Sequence, residues 1–340
     1  MMNPRILVLR FSALGDVLLT TPALEALKRA WPEAHIYYAT KKAFQPLIEY
    51  HPSVKEVITL EQVETLWQYI KRLRTYRFDC ILDLHDKMRS RIIRTLLGKR
   101  SSVWQERPWR DNIPVRLGLR PYQAQKHIAQ RYHEAVEQLV GNSLPKGKLT
   151  YHLKPGIIEQ VCNRIQKYTE NKPCIGVSPG ATWATKQWPL NNFISLVERL
   201  TQLGYRCLVT GTKSESDLAE KLVKEVPQTV NLCGKLDLQE LGAVITLCQM
   251  FIANDSGPMH MARALGVKTL TFFGSTDPKQ FDFSGHKVLY AGIRCSPCHF
   301  YGRKSCPQKH FQCMHQISVE QALTASQQLL TKTTPELVLG

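Results

Sequence analysis

Short apolar runs rich in β-branched residues alternate with helix-period segments along most of this chain, and the series restarts midway. Such alternation is typical of an α/β protein in which helices link parallel strands. Leu66, Tyr69, Ile70 and Leu73 show the helical spacing, because they fall at i, i+3, i+4 and i+7 on one face. The sequence therefore predicts two Rossmann-like domains with parallel sheets facing a central cleft.

The two series meet near Lys154. This predicts an N-terminal domain over 1–155 and a C-terminal domain over 156–340, with the last helix free to pack back on the first domain. The predicted strands of the two domains are 6–9, 35–40, 54–60 and 78–84, then 174–178, 206–210, 229–232, 250–254 and 269–273.

The 340 residues include 45 Lys or Arg and 28 Asp or Glu, which gives a formal net charge of +17. This surplus predicts a polyanionic partner: nucleic acid, anionic lipid headgroups or a phosphorylated substrate. The N-terminal apolar segment is interrupted by Arg10 and Asp16, so neither a secretion signal nor a membrane span is expected. Cysteines scattered through apolar runs are typical of buried thiols in a reducing cytoplasm.

The positive charge is concentrated in residues 87–120, which hold ten Lys or Arg against two acidic residues. A partner surface on the first domain is favoured over an ordinary solvated face. Lys87, Arg89 and Arg94 are the candidates for binding an anionic acceptor.

Missing motifs narrow the function classes. The chain has no G-x-G pair, no Gly-Lys followed by Ser or Thr, and no H-E-x-x-H. A nicotinamide dehydrogenase, a P-loop ATPase and a zincin protease are therefore disfavoured. What remains are the loops at the carboxyl ends of the strands, where sheets of this type bind ligands.

The first of these loops contains Gly15 and Asp16, just before a helical segment. Gly15 allows a tight turn, and Asp16 would lie near a helix start. From spacing alone, a carboxylate that stabilises the helix N-terminus is favoured over a catalytic one.

A second loop follows the predicted strand 174–178. Thr182 and Thr185 offer hydroxyl donors there and Lys186 supplies a positive charge, which suits a diphosphate. A polar loop that caps the next helix is the alternative, and Trp188 is expected to pack rather than to touch a ligand.

The third loop, 255–260, opens a short helix after the predicted strand 250–254. Asp255 or Ser256 is expected to cap this helix, and the free amides near Gly257 would form an anion site at its N-terminus. His260 lies one turn into the helix, where a histidine is usually structural but could here reach a phosphate.

Together the three loops resemble one family, the ADP-heptose:lipopolysaccharide heptosyltransferases of glycosyltransferase family 9. The matching motifs run in the family's order over nearly the whole chain. They are Arg-x-Ser-x-x-Gly-Asp-Val at 10–17, Pro-Gly-Ala with Lys and Trp-Pro at 179–189, Asn-Asp-Ser-Gly-Pro-Met-His at 254–260 and Phe-Gly-Ser-Thr-Asp-Pro at 273–278.

The resemblance implies a GT-B fold and a metal-independent, inverting transfer without a cofactor. It implies that Asp16 is the general base, and that Thr182 and Lys186 bind the donor diphosphate. It also implies a donor-binding loop made of Asp255, Ser256, Gly257 and His260, with Ser256 where many members carry Thr. By a looser match, it implies that the carboxylate of Glu215 contacts the donor ribose.

The last cysteines stand at C-x2-C-x7-C-x6-C spacing, with three histidines nearby. Only the first pair has the spacing of zinc ligands. Similar cysteines occur in the family without a known need for metal, so a packed thiol cluster is favoured over zinc, and no metal site is predicted. The four are Cys295, Cys298, Cys306 and Cys313.

The function predicted on these grounds is transfer of a heptose from ADP-heptose to the anionic inner core of lipopolysaccharide. The enzyme is expected to be a cytoplasmic monomer in peripheral contact with the bacterial inner membrane, without nucleic acid. One alternative is a related glycosyltransferase that uses another nucleotide sugar. The other is a noncatalytic nucleic-acid-binding protein, for which residues 87–120 show no RNP-type aromatic pattern.

Overall fold

A computed structural model gives the structure of the protein and describes residues 3–61, 63–104 and 126–331. The described chain divides into two compact units, one up to Lys154 and the other from Pro155 onward. Each unit is a parallel sheet with helices between its strands.

The first unit has a five-stranded parallel sheet in the order β3-β2-β1-β4-β5. Its central strand carries only buried aliphatic residues after Arg5, as expected for a strand covered on both faces. The strands are β1 (Arg5–Leu9), β2 (His35–Lys41), β3 (Val54–Leu60), β4 (Cys80–Asp83) and β5 (Arg100–Val103). The helices are α1 (Leu14–Leu18), α2 (Thr21–Ala30), α3 (Leu66–Thr75), α4 (Met88–Leu97) and α5 (Ile128–Val140).

Helix α3 shows how the sequence specifies an element. Thr65 accepts a hydrogen bond from the Gln68 amide, and the Gln68 side chain accepts one in return from the Thr65 amide at 2.9 Å. This capping box satisfies two amides that the first helical turn leaves unpaired. Tyr69, Ile70 and Leu73 are buried against the sheet, which confirms the predicted helical face.

The second unit has a six-stranded parallel sheet in the order β11-β10-β9-β6-β7-β8. The strands are β6 (Cys174–Ser178), β7 (Arg206–Val209), β8 (Val230–Asn231), β9 (Cys248–Asn254), β10 (Lys268–Phe273) and β11 (Lys287–Tyr290). The helices are α6 (Ile157–Thr169), α7 (Leu190–Gln202), α8 (Ser216–Glu225), α9 (Leu238–Thr246), α10 (Gly257–Ala264), α11 (Gln312–His315) and α12 (Val319–Thr331).

The C-terminal helix α12 packs on the second sheet. Its Ala322, Ala325 and Leu329 lie in the same buried cluster as Phe272 of β10 and Leu196 of α7. The sequence allows this last helix to pack on the first domain. In the structure its buried residues form part of the core of the second unit. No helix in the described ranges has both the length and the apolar character that crossing a bilayer requires.

The strand order changes direction once in each sheet, between β1 and β4 in the first and between β6 and β9 in the second. In open parallel sheets, ligands bind outside the carboxyl ends of the strands at such a switch point. All three loops singled out in the sequence follow one of these strands. The predicted loops that carry Asp16, Lys186 and Asp255 therefore lie at the two switch points.

Candidate functional site

Asp16 lies in α1, which follows β1 at the first switch point. Its Oδ2 atom is 2.6 Å from Nη2 of Arg10 and accepts a hydrogen bond from the Ala13 amide at 3.3 Å. Asp16 thus stabilises the N-terminus of α1, as the spacing alone suggested. The carboxylate remains partly exposed, so the same side chain can also meet a ligand.

Arg10 holds Asp16 from the buried side. Its Nη1 donates to the Leu84 carbonyl at 2.6 Å, and its guanidinium carbon lies 5.9 Å and 5.6 Å from the ring centres of Trp104 and Tyr132. Burial alone would lower the pKa of Arg10, but the facing Tyr132 and Asp16 outweigh it and hold the pKa above its ordinary value. Arg10 is therefore a fixed positive charge that orients the carboxylate.

The loop after β4 carries two of the predicted acceptor residues beside the same switch point. Lys87 immediately precedes α4, and Arg89 lies in its first turn; both are exposed. The Arg89 guanidinium carbon is 5.9 Å from the ring centre of Phe11, in the loop that follows β1. The structure thus brings these two side chains to the edge that carries Asp16.

Arg94 has a structural partner instead. Its Nη1 lies 3.5 Å from Oδ2 of Asp83, a fully buried carboxylate at the end of β4. Asp83 also accepts hydrogen bonds from the His85 and Asp86 amides at 3.0 Å each, and burial raises its pKa. Arg94 therefore balances the negative charge of the buried Asp83, whereas Lys87 is exposed to solvent. The remainder of the basic segment, from residue 105 to 120, lies outside the described residues.

His85 is a residue of this edge that the sequence reasoning missed. It follows β4, and its ring packs edge-on against Phe11 at 5.6 Å. Burial, together with the charge of Arg10, lowers the pKa of His85 to about 4, so the ring is neutral at pH 7. Its position after a central strand was the signal that could have revealed it.

Lys186 and Asp255 meet at the second switch point. Lys186 belongs to a 3-10 turn, Ala184–Lys186, after β6, and Asp255 follows β9. The Lys186 Nζ atom is 2.7 Å from Asp255 Oδ2, which also accepts a hydrogen bond from the Thr276 hydroxyl at 2.6 Å. The two predicted donor loops are thus joined by one ion pair.

Asp255 is a positioning group rather than an open ligand contact. It is buried, which alone would raise its pKa, but Lys186 and the Thr276 hydroxyl outweigh burial and lower the pKa. The carboxylate therefore stays charged and fixes the ammonium group. Lys186 is partly buried and lies beyond the carboxyl end of β6.

The two threonines of the second loop have different environments. Thr182 is exposed, as a ligand contact requires. The buried Thr185 hydroxyl accepts from the Arg303 amide at 2.8 Å and lies 2.9 Å from the Ser275 hydroxyl, so it holds loops together. Trp188 packs, as predicted: its ring stacks on Phe272 at 4.1 Å.

Helix α10 begins at Gly257, with Ser256 at the N-cap position and Pro258 in the first turn. The Ser256 side chain makes no capping bond, contrary to expectation, and its buried Oγ atom has no hydrogen-bond partner among the described residues. The amides of a first helical turn lack intrahelical partners and favour anions. This helix start therefore offers an unpaired hydroxyl and amide donors.

His260 is buried one turn into α10. Its ring packs edge-on against Phe281 at 4.6 Å, and its Nδ1 atom lies 3.4 Å from Nη1 of Arg263. These contacts favour the structural role that a helical histidine usually has.

Glu215 lies at the carboxyl ends of β6 and β7. Its Oε2 atom accepts hydrogen bonds from the amide and hydroxyl of Thr212, at 2.7 Å and 2.8 Å. The carboxylate sits so close to Gly180 that a Cβ atom there would collide with Oε1. Glu215 is thus fixed beside the loop that carries Thr182.

The C-terminal cysteines are all free thiols. Cys295 Sγ lies 3.8 Å from Nε2 of His310, and burial with the neighbouring thiols raises the pKa of Cys313 to about 12. Over the ranges that the structure describes, no three His, Cys, Asp or Glu side chains form a group that could hold a metal ion.

The family model described as glycosyltransferase family 9 (heptosyltransferase) matches residues 66–310. The chain belongs to this family. Among its relatives is lipopolysaccharide heptosyltransferase 1 of Pseudomonas aeruginosa, which is 27% identical over 312 residues covering 86% of each chain. The loops of this family 9 protein that were predicted to bind the donor lie at the switch point of the second sheet, where parallel sheets of this kind bind ligands.

Two solved structures resemble this family 9 protein along almost its whole length. A glycosyltransferase of family 9 from Veillonella parvula has a TM-score of 0.78 at 23% identity, covering 98% of this chain and 99% of its own. Escherichia coli ADP-heptose lps heptosyltransferase II has a TM-score of 0.77 at 21% identity, covering 96% and 99%. The likeness confirms the predicted GT-B fold class.

Proposed function

We propose that the protein is an inverting, metal-independent heptosyltransferase that moves a heptose from ADP-heptose to the inner core of lipopolysaccharide. The observation that carries this proposal is the Lys186–Asp255 pair beside the unpaired Ser256 hydroxyl at the start of α10. The relatives add the substrate class, because the names of those described above refer to ADP-heptose and to lipopolysaccharide.

In the proposed reaction, a hydroxyl of the acceptor attacks the anomeric carbon of the heptose. The new C–O bond forms on the face opposite the departing ADP, whose own C–O bond to the sugar breaks. Asp16 takes the proton from the attacking hydroxyl. Because that proton becomes acidic only late in such a displacement, orientation by Arg10 matters more than a high basicity of the carboxylate.

The departing ADP gains negative charge as the bond breaks. Without a divalent ion, the chain must supply compensating positive charge and donors. Lys186, the Ser256 hydroxyl and the Gly257 amide would supply them, with Thr182 as an exposed hydroxyl donor. Glu215 would accept from a ribose hydroxyl, since its carboxylate is fixed at the same edge.

The acceptor would bind the first unit, where Lys87 and Arg89 are exposed at the sheet edge that carries Asp16. The phosphate-bearing core of lipopolysaccharide suits these cations. We further propose that the enzyme works as a monomer, without nucleic acid, at the inner face of the bacterial inner membrane.

Incubation of the purified enzyme with ADP-heptose and a series of truncated lipopolysaccharides tests the proposal. We expect ADP release only with acceptors that expose the correct core sugar, and little loss of activity in EDTA. Release only from a different nucleotide sugar would overturn the choice of donor. Activity that is abolished by EDTA and restored by a divalent ion would overturn metal independence.

A further inference from the structure

Helix α4 leaves a line of apolar side chains exposed. Met88, Ile92 and Leu96 stand four residues apart, which places them along one side of the helix. They are 78%, 37% and 36% exposed, while the neighbouring Ile93 is buried in the first core. Exposed apolar side chains aligned in this way mark a candidate surface for contact with an apolar partner.

Helix α3 extends the stripe. Its Trp67 is 62% exposed. Arg74 joins the two helices, because its guanidinium carbon lies 5.9 Å from the Trp67 ring centre and its Nη2 donates to the Leu96 carbonyl at 3.0 Å. Trp67, Met88, Ile92 and Leu96 are called the α3–α4 patch below.

The patch lies among positive charges. Neither α3 nor α4 contains Asp or Glu, whereas each contains three Lys or Arg. Within the part of the chain that the structure describes, acids from neighbouring loops pair with three of these six cations. The pairs are Glu64 with Arg72, Asp86 with Arg91 and Asp83 with Arg94. The remaining cations, Lys71, Arg74 and Arg89, are all exposed.

We propose that the α3–α4 patch docks this protein on an anionic phospholipid bilayer. An interfacial helix needs an apolar face to enter the acyl boundary and Lys or Arg to meet anionic headgroups. Tryptophan is enriched at that interface. The patch offers all three features on two neighbouring helices.

Two other occupants fit less well. Nucleic acid would use the cations but would leave Met88, Ile92 and Leu96 in water. A second copy of the chain would bring two positive surfaces together, so like charges would oppose the contact. The exposed apolar stripe favours the bilayer.

The patch also adjoins the acceptor residues, since Arg89 lies in the first turn of α4 and Lys87 just before it. An acceptor anchored in the same bilayer would be held at the membrane surface beside them. Docking gives a surface to the membrane contact that the proposed function includes, and this last step rests on that function. The apolar stripe and the cations support docking by themselves.

Vesicle binding tests the docking without donor or acceptor. The full chain is mixed with phosphatidylglycerol/phosphatidylethanolamine vesicles and with phosphatidylcholine vesicles, and the bound fraction is measured by cosedimentation. We expect binding to the anionic vesicles that weakens as salt rises. Ile92→Ser with Leu96→Ser should reduce the partition coefficient about tenfold or more.

The matched control is Ile158→Ser with Leu203→Ser, which removes two exposed apolar side chains from the second unit. The control should bind as the wild type does. Because all four side chains are about half to two-thirds covered by the protein, the two double variants should lose similar small amounts of melting temperature. Equal binding by the patch variant and the control would overturn the proposal. So would a wild type that binds single-stranded RNA but no vesicles, which would favour the nucleic-acid alternative.

Transfer to a delipidated core oligosaccharide separates docking from catalysis. Patch variants should retain this activity while losing vesicle binding. If the wild type binds vesicles but transfers no heptose, the proposed function fails and the docking stands.

Discussion

Lys186 and Asp255 form an ion pair across two loops of the second sheet, with Nζ and Oδ2 2.7 Å apart. The pair as a whole carries no net charge. In the proposed function, attraction for the diphosphate therefore depends on how far Lys186 can turn to a ligand and on the start of α10 beside it. We therefore expect substitution of either residue alone to affect both the stability of the protein and the proposed donor binding.

We expect Lys186→Met to lower the free energy of unfolding by ~3–5 kcal/mol, because it leaves the buried Asp255 carboxylate unpaired. Lys186→Met with Asp255→Asn should recover most of that stability, since asparagine can still accept from the Thr276 hydroxyl. Neither the single nor the double variant should bind ADP as tightly as the wild type does. Urea unfolding and calorimetric titration measure the two effects, and wild-type ADP affinity in the double variant would move the diphosphate site elsewhere.

Asp16→Asn should reduce kcat by ~10²–10⁴-fold with little change in donor affinity, because it removes the proton acceptor. Asparagine can still accept from the Ala13 amide, so α1 should persist. Asp237→Asn is the matched control. Asp237 caps α9 by accepting from the Glu240 amide at 2.8 Å, and asparagine caps a helix about as well, so this control should keep both its stability and its turnover. Turnover by Asp16→Asn within a few-fold of the wild type would leave Asp16 as a helix-stabilising carboxylate only.

Lys87→Glu with Arg89→Glu should raise the acceptor KM and leave the donor KM nearly unchanged, because both side chains are exposed on the first unit. The wild-type acceptor KM should also rise with salt. Lys221→Glu with Lys224→Glu, on the exposed side of α8, makes the same change in net charge on the second unit. An equal effect of the two double variants would show that only overall charge matters.

Arg94→Gln should behave differently from Lys87→Glu. It removes the cation beside the buried Asp83, so we expect a loss of stability on the order of 1–3 kcal/mol. Chemical unfolding measures it. If the variant is as stable as the wild type and its acceptor KM is raised, Arg94 binds the acceptor after all.

His51 gives the fold a dependence on pH. Burial, and then the neighbouring His152, lowers the pKa of His51 to about 4 from its ordinary 6.5. The unfolded chain takes up this proton below pH 6.5 and the folded chain does not. Stability therefore falls as the pH drops from 6.5 to 4, by up to ~1.4 kcal/mol per pH unit. His51→Asn should show a shallower slope over that window in urea unfolding, and an unchanged slope would contradict the assignment.

The sequence was sufficient for the long buried strands, because continuous apolar runs such as β1 and β9 are distinctive. It missed β5 and β11. These are short strands at the sheet edges. The first, Arg-Ser-Ser-Val, has a single apolar residue, and the second, Lys-Val-Leu-Tyr, has an apolar run of only three. Edge strands need fewer apolar residues, so their pattern is weak.

The site was predictable as a set of loops but not as a set of contacts. Carboxyl ends of parallel strands share one edge, so the loops of Lys186 and Asp255 could be placed together. Which cation meets which acid depends on side-chain packing between distant segments. Arg94 illustrates this, since nothing in its local sequence reveals the buried Asp83 beside it.

The hydrogen bond of Trp188 has a consequence for folding during synthesis of the chain. Its indole Nε1 donates to the Ile317 carbonyl at 2.9 Å, across 129 residues of sequence, just after the loop that holds Lys186. During synthesis, the loop of Lys186 would leave the ribosome long before the segment around Ile317, to which Trp188 is bonded. The second unit would therefore mature late, and a nascent chain arrested before residue 317 should present the loop without its anchor.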